Sequence, residues 1–224
     1  MNAIQHFQPL YSSTGFAVGV LVGLTGVGGG ALMTPLLILL FGIHPSTAVG
    51  TDLIYAAATK SAGTVVHGLN RNIDWRVVGL LAAGSVPFTI VALIMLQHIG
   101  INSAAARNLI TIVLTGALLA TAATLIFRDR IAARYATRLG KLRPRQVGLL
   151  TVVVGAVLGV LVSISSVGAG AIGVAALLLL YPKLPTARIV GSDIAHAVPL
   201  TLVAGIGHWS VSYTHLTLPT ILRV

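Results

Sequence analysis

The fold is decided by a stretch that occurs twice, as GVLVGLTGVGGGA at residues 19–31 and as GVLVSISSVGAGA at residues 159–171. Each copy lies inside an apolar run, at 14–42 and 146–182, that exceeds one straight membrane crossing of about 20 residues. Glycine in a helix interior costs about 1 kcal/mol relative to alanine. We therefore expect each small-residue cluster to break its run into two shorter helices.

Further matches extend this repeat beyond the glycine clusters. They are Pro45 with Pro185, Val49-Gly-Thr-Asp52 with Val190-Gly-Ser-Asp193, and His67 with His208. Apolar segments often resemble one another by chance, but chance does not place an aspartate, a histidine, a proline and a glycine cluster in one register. We interpret the two halves as an internal duplication.

The composition places these runs in a membrane. Of the 224 residues, 56% are hydrophobic and 8% are charged, whereas a soluble domain carries about 25% charged residues. Further apolar runs lie at 46–69, 76–98, 105–127 and 187–211. A soluble fold of this size cannot cover so much apolar surface, so cytosolic enzymes and nucleic-acid-binding modules are excluded. The sequence has no cysteine, which excludes disulfides and thiolate sites.

The basic residues predict an orientation. Seven of the fourteen Lys and Arg residues lie between 128 and 145, which we interpret as a cytoplasmic loop by the positive-inside rule. The flanks of the first broken run contain no Lys or Arg, whereas those of the second carry Arg143, Arg145, Lys183 and Arg188. Each run is thus expected to enter and return on one side, with the repeats inverted. A parallel duplication is the alternative.

These observations predict an all-α polytopic transmembrane helix bundle of two internal repeats, each opening with a glycine-broken helix. Residues 1–127 form the first repeat, 128–145 the basic loop, and 146–211 an incomplete second repeat. Residues 212–224 match nothing in the first repeat, where two more spanning helices would be expected. We interpret this tail as non-native, with a native short variant as the alternative.

Several short motifs between residues 15 and 75 are specific when they occur together. They are the Gly-x-Gly-Gly-Gly run at 26–30, Pro35, Ala-Val-Gly-Thr-Asp at 48–52, and the ending from His67 to Asp74-Trp75. This stretch resembles the N-terminal half of the sulfite exporter TauE/SafE family of bacterial transporters. The resemblance implies a multi-pass protein of the bacterial inner membrane that moves sulfite, organosulfonates or other small organic anions.

The two glycine breaks form the first candidate site. A helix that begins at such a break presents free N–H groups and the positive end of its dipole, so two of them facing each other would hold a small oxyanion. The candidate substrate-binding residues are Thr25, Gly26, Gly28, Gly29, Gly30, Lys60, Ser165, Ser166, Gly168 and Gly170. The alternative is that these glycines only let helices pack closely.

Three charged residues lie well inside the apolar runs. An ionised Asp52 or Asp193 costs a few kcal/mol in a bilayer unless it is partnered, so we expect these two residues to couple a proton or to gate the site. Capping of a helix N-terminus is the alternative role. Lys60 is expected to attract the anion or to form a salt bridge with either aspartate. His196 is expected to hydrogen-bond to Asp193, one turn away, and to take part in the proton coupling or gating. His67 and His208 are expected to lie at the membrane interface.

The predicted function is secondary transport of a small anion. The sequence contains no P-loop, HExxH or GxSxG motif, so we expect no enzymatic activity, no metal and no cofactor. The expected partners are the anionic substrate and the lipid bilayer, without nucleic acid, and a homo-oligomer is left open. The alternatives are a passive anion channel and a non-transporting membrane scaffold.

Overall fold

The computed structural model describes residues 15–21, 29–100, 103–139 and 142–221, without the side chains of 128–129, 131–139 and 211–221. Every regular element in these ranges is a helix. The helices are α1 (15–21), α2 (Gly30–Leu39), α3 (Pro45–Leu69), α4 (Trp75–Ile99), α5 (Ala104–Leu139), α6 (Pro144–Ser165), α7 (Ala171–Leu180) and α8 (Thr186–Ile221). The prediction of an all-α chain is confirmed.

Four helical stretches are long and apolar enough to cross a membrane. They are Trp75–Ile99, Ala104–Phe127, Pro144–Ser165 and Thr186–Ser210. Large apolar side chains on them remain exposed, such as Ile112 at 69% and Leu119 at 67%, as expected for surfaces that contact lipid. α3 is as long as α4, with 25 residues, but it is more polar, because Asp52 and Lys60 lie on it. The chain is a polytopic helical membrane bundle.

α6 and α7 form a hairpin around the second glycine cluster. At its open end Thr151 Oγ1 and Tyr181 OH are 2.8 Å apart, so α7 returns towards the start of α6. Ser166 has a φ of 59°, and Gly168 and Gly170 have φ values of 122° and 128°, which reverse the chain direction. We call residues 166–170 the hairpin turn. The run breaks into two helices, as predicted, and folds back on itself, but α6 has 22 residues and α7 only 10, so the halves are unequal. The corresponding turn of the first repeat, residues 22–28, lies outside the described residues.

Cations gather at one end of the bundle. We call this the basic end; its described cations are Arg71, Arg76, Arg143, Arg145, Lys183 and Arg188. The backbone N–H of Asp74 donates a 2.8 Å hydrogen bond to Ser192 Oγ, which joins the α3–α4 loop to the start of α8. At the opposite end, burial lowers the pKa of His44 and the positive charge of Arg107 lowers it further, so the starts of α3 and α5 are neighbours.

α3 and α8 correspond to each other in the repeat and pack antiparallel. A Cβ added at Gly50, early in α3, would lie 3.1 Å from the Cβ of His208, late in α8. Conversely, a Cβ added at Gly191, early in α8, would overlap the carbonyl oxygen of Asn72 and would lie 3.0 Å from Nδ1 of His67, late in α3. A glycine of each repeat thus faces the histidine of the other. Inverted repeats related by a two-fold axis would give this reciprocity, and we carry the inverted arrangement forward as a proposal.

Small residues let α4 and α6 touch through their backbones. A Cβ added at Gly155 would overlap the carbonyl oxygen of Leu81, and one added at Gly84 would overlap that of Val152. Close approach of this kind is a principal source of helix association in lipid, where apolar burial gives no driving force. α6 is therefore held firmly against α4, and its C-terminal end, where the hairpin turn begins, has a fixed position.

α5 closes the bundle over the hairpin turn. Leu114 and Ala117 of α5 are buried against Val167 in the turn, and Ala31 and Ile38 of α2 pack on the same cluster. α2 is thereby brought next to the turn of the second repeat. The start of α2, which follows the first glycine cluster, and the hairpin turn of the second repeat consequently lie in one region of the molecule.

Candidate functional site

Charged side chains from α3 and α8 converge on the hairpin turn. We call Asp52, Lys60, Asp193, His196 and the hairpin turn the central site. Asp52 and Asp193 are each 1% exposed, and Lys60 is near enough to both carboxylates for electrostatic attraction. The three charges that the sequence places inside apolar runs therefore meet in one buried region.

Asp52 is held by its own repeat and faces the turn of the other repeat. Thr34 Oγ1 on α2 donates a 2.9 Å hydrogen bond to Asp52 Oδ2. A Cβ added at Gly30 would lie 3.0 Å from the same oxygen and would overlap the carbonyl oxygen of Ser166. Ser166 Oγ also approaches Asp52. Within the described residues, Asp52 Oδ1 and Ser166 Oγ are both buried and neither has a partner with hydrogen-bond geometry, so both can still bind another group.

Asp193 is packed against α7 but receives no hydrogen bond from the described residues. Both of its carboxylate oxygens are buried and lack a partner in the part of the chain that the structure describes. A Cβ added at Gly173 would overlap Oδ1. Val174 occupies the position that matches Thr34 at the 140-residue offset of the glycine clusters, so this repeat offers no hydroxyl there. The compensating charge for Asp193 is that of Lys60.

Lys60 reaches from α3 into the hairpin turn. Its Nζ donates a 3.4 Å hydrogen bond to the carbonyl oxygen of Ala169, which leaves further donors on the ammonium group. At the start of α7, the N–H of Gly173 donates to Gly168 at 3.2 Å. The preceding N–H groups of Ala171 and Ile172 have no acceptor among the described residues. An ammonium group and a helix N-terminus thus lie at the same turn, an arrangement that favours an anion.

Both aspartates lie in helix interiors. α3 begins at Pro45 and α8 begins at Thr186, so each aspartate follows about two turns of regular helix. The alternative that Asp52 and Asp193 cap helix N-termini is therefore wrong. They are buried carboxylates in the middle of the bundle.

The two buried histidines bond to partners that the sequence did not indicate. His196 Nε2 lies 2.9 Å from Ser85 Oγ on α4, so the expected bond between His196 and Asp193 is wrong. His208 Nε2 donates a 2.7 Å hydrogen bond to the carbonyl oxygen of Ser163. His208 is only 1% exposed, so its expected interfacial position is also wrong. Both rings fasten α8 to neighbouring helices.

The other predicted site residues have different positions. Thr25, Gly26 and Gly28 lie outside the described residues. Gly29 precedes α2, and its carbonyl oxygen accepts from Leu32 and Met33. Ser165 Oγ donates to the carbonyl oxygen of Leu161 at 2.7 Å and accepts from the backbone of Val167 at 3.3 Å, so it stabilises the end of α6 instead of facing the carboxylates. Gly168 and Gly170 supply the backbone angles of the turn.

Thr34 is the site residue that the sequence analysis missed. It lies one helical turn after Gly30, and residues four apart share a helix face. The sequence could therefore have indicated that the Thr34 hydroxyl lies on the same helix face as the glycine break.

Comparisons with known proteins identify a transporter family. The sequence model described as sulfite exporter TauE/SafE matches residues 11–223. The probable membrane transporter protein YjnA of Bacillus subtilis is 39% identical over 193 residues, which cover 86% of this chain and 75% of that protein. The probable membrane transporter protein MJ0441 of Methanocaldococcus jannaschii is 27% identical over 203 residues, which cover 88% and 70% of the two chains.

A probable membrane transporter protein of Xylella fastidiosa is 28% identical over 185 residues, covering 81% of this chain and 66% of that protein. No solved structure matches the chain. The family model thus matches nearly the whole sequence. This match agrees with the sequence motifs and with the helical bundle. The chain belongs to the sulfite exporter TauE/SafE family.

Proposed function

We propose that this membrane transporter protein carries a small anion, such as sulfite or an organosulfonate, through the central site by secondary transport. The observation that carries the proposal is the position of Lys60, which extends into the hairpin turn between two buried carboxylates. The family description names sulfite export, and the relatives are named as probable membrane transporters. The proposal extends this general role to a substrate class and a binding place.

The anion would bind on the turn side of Lys60. The ammonium group supplies charge, and the N–H groups at the start of α7 and the hydroxyl of Ser166 supply further donors. Sulfite and sulfonates present several oxygens around one sulfur atom, so they can accept from a lysine and from backbone N–H groups at the same time. The hairpin turn offers these two kinds of donor within a few residues.

The charges at the central site favour coupling to protons. With both carboxylates ionised, Asp52, Asp193 and Lys60 carry a net charge of −1, and a bound monoanion would make it −2. Like charges in a low-dielectric interior repel strongly, so protonation of one carboxylate would accompany anion binding. Asp193 is the better candidate, because no hydrogen-bond donor among the described residues contacts its carboxylate, whereas Thr34 donates to Asp52.

We place the basic end on the cytoplasmic side of the bacterial inner membrane. The cations of the described loops lie at this end, and positively charged loops are retained in the cytoplasm. In this orientation α4, α6 and α8 run outwards and α3 runs inwards. The hairpin turn, at the C-terminal end of α6, then faces away from the cytoplasm.

Flux into liposomes tests this function. The purified protein is reconstituted, and uptake of labelled sulfite is measured with and without an imposed pH gradient at a fixed membrane potential. We expect uptake that is stimulated by the gradient. Gradient-independent flux would indicate a passive channel, and absence of flux with sulfite and with short organosulfonates would favour the scaffold alternative.

A variant of Lys60 links the flux to the central site. Lys60→Met keeps the length of the side chain but removes the charge, and hydrogen bonds to charged groups contribute about 1.5–3 kcal/mol. We expect uptake to fall at least about tenfold. Arg188→Gln, which removes a positive charge at the exposed basic end, is the matched control and is expected to retain uptake. Equal uptake by both variants would remove Lys60 from the proposal.

A further inference from the structure

A groove lies at the basic end, between the starts of α4 and α6. It has a volume of about 610 Å³, and its lining includes Arg76, Arg143 and Arg145. We call these three residues the rim. Its lining includes no acidic residue among the described side chains. Asp74 lies nearby at the start of α4, where its Oδ1 accepts from the backbone N–H groups of Arg76 and Val77 at 3.1 and 3.3 Å.

The three arginine side chains have no ion-pair partner among the described residues. All three are exposed, and within the described structure none of their guanidinium groups forms a hydrogen bond or ion pair. Two helix N-termini also meet here, since α4 begins at Trp75 and α6 at Pro144. Each contributes a partial positive charge. The rim therefore carries three positive charges, and Asp74 is the acidic residue that lies near it in the described structure.

The lower part of the groove is apolar. Leu80, Leu149 and Val152 line it, and Leu149 is 67% exposed. These residues continue along α4 and α6 towards the membrane interior, where both helices are apolar enough to span a bilayer. Positive charge above and an open hydrocarbon surface below match a molecule with an anionic head and an acyl chain.

We propose that this groove binds an anionic phospholipid, with its phosphate among Arg76, Arg143 and Arg145 and an acyl chain along Leu149 and Val152. A free inorganic anion would satisfy the arginines but would leave the apolar floor uncovered. A zwitterionic lipid would cover the floor, but its ammonium group would oppose the cationic rim. Only the anionic lipid is complementary to both halves of the groove.

Binding is measured by native mass spectrometry of the full chain in detergent, with phosphatidylglycerol, phosphatidylcholine or inorganic phosphate added. Phosphatidylglycerol is expected to bind and to raise the thermal unfolding temperature, and the other two are expected to do neither. Each arginine near a lipid headgroup changes affinity about fivefold. The triple variant Arg76→Gln/Arg143→Gln/Arg145→Gln is therefore expected to bind phosphatidylglycerol about a hundredfold more weakly.

Two controls separate the groove from general charge attraction. Arg188→Gln, at the same end but outside the groove, and Arg107→Gln, at the opposite end, are each expected to change the affinity less than twofold. Leu149→Gln is expected to weaken binding although it alters no charge. Equal binding of phosphatidylcholine, displacement of the lipid by inorganic phosphate, or full affinity in the triple variant would overturn the proposal. None of these measurements involves transport, so their outcome is independent of the proposed function.

Discussion

The two repeats bury the same residue in different surroundings. Asp52 and Asp193 occupy matching positions on α3 and α8, and each is 1% exposed. Asp52 accepts a hydrogen bond from Thr34, whereas Asp193 packs against Gly173 and has no donor in the described region. The duplication supplies two carboxylates. Their surroundings differ because Val174, which matches Thr34 in the repeat, has a methyl group in place of the hydroxyl. Under the proposed function, Asp52 keeps one state while Asp193 changes its protonation state.

Neutralising each aspartate in turn is expected to give the largest difference between the repeats. Asp193→Asn cannot take up a proton, so stimulation of sulfite uptake by a pH gradient should disappear. Asp52→Asn keeps a group that can accept from Thr34, and gradient stimulation should persist. Uptake into liposomes at several gradients measures both variants. The comparison fails if Asp52→Asn loses the gradient dependence and Asp193→Asn retains it.

Adding a methyl group beside each aspartate tests how tightly the carboxylates are packed. The new Cβ of Gly173→Ala would overlap Asp193 Oδ1, and that of Gly30→Ala would overlap the Ser166 carbonyl. Overpacking of this kind costs about 1–3 kcal/mol, so both variants should unfold at lower denaturant concentration in detergent. Gly79→Ala is the control, since its Cβ would meet nothing within 4 Å. Equal stability of all three variants would show that the carboxylates have room to move.

A reciprocal exchange of side chains tests the asymmetry itself. Thr34→Val removes the donor to Asp52 and leaves a buried acceptor unpaired, which costs about 1–3 kcal/mol. Val174→Thr is nearly the same size and offers Asp193 the missing hydroxyl. We expect Thr34→Val to lower the unfolding temperature. Val174→Thr should weaken gradient stimulation, because a donor stabilises the ionised carboxylate. Unchanged stimulation in Val174→Thr would argue that Asp193 does not carry the proton.

The sequence predicts the helix content, the internal repeat and the membrane class, because these depend on composition and on long apolar runs. It also identifies Asp52, Lys60 and Asp193 as the charges inside the bundle. Their convergence follows from the repeat, since matching helices pack against one another at a shared centre. Each of these inferences uses a pattern that extends over many residues.

Features set by single contacts between helices could not be predicted. The partner of His196 is Ser85, which is 111 residues away in the sequence, so the local spacing that suggested Asp193 was uninformative. The capping alternative for the aspartates could have been rejected earlier, because proline favours the first turn of a helix and Pro45 marks the start of α3. The sequence does indicate that the two aspartates have different surroundings, because Val174 stands at the position that matches Thr34 in the repeat.

Labelling of single cysteines tests the orientation of the repeats, and these substitutions should leave transport intact. Thr47 and Ala187 are exposed at matching positions at the starts of α3 and α8, and the sequence has no cysteine to give background labelling. Ser46 is less suitable, because it is 2% exposed and its Oγ lies 2.8 Å from His44 Nδ1. In inverted repeats, Thr47→Cys reacts with an impermeant maleimide from outside intact cells, and Ala187→Cys reacts only after the membrane is opened. The antiparallel contact of α3 and α8 requires this difference if both helices cross the bilayer, so labelling of both cysteines from one side would exclude inversion.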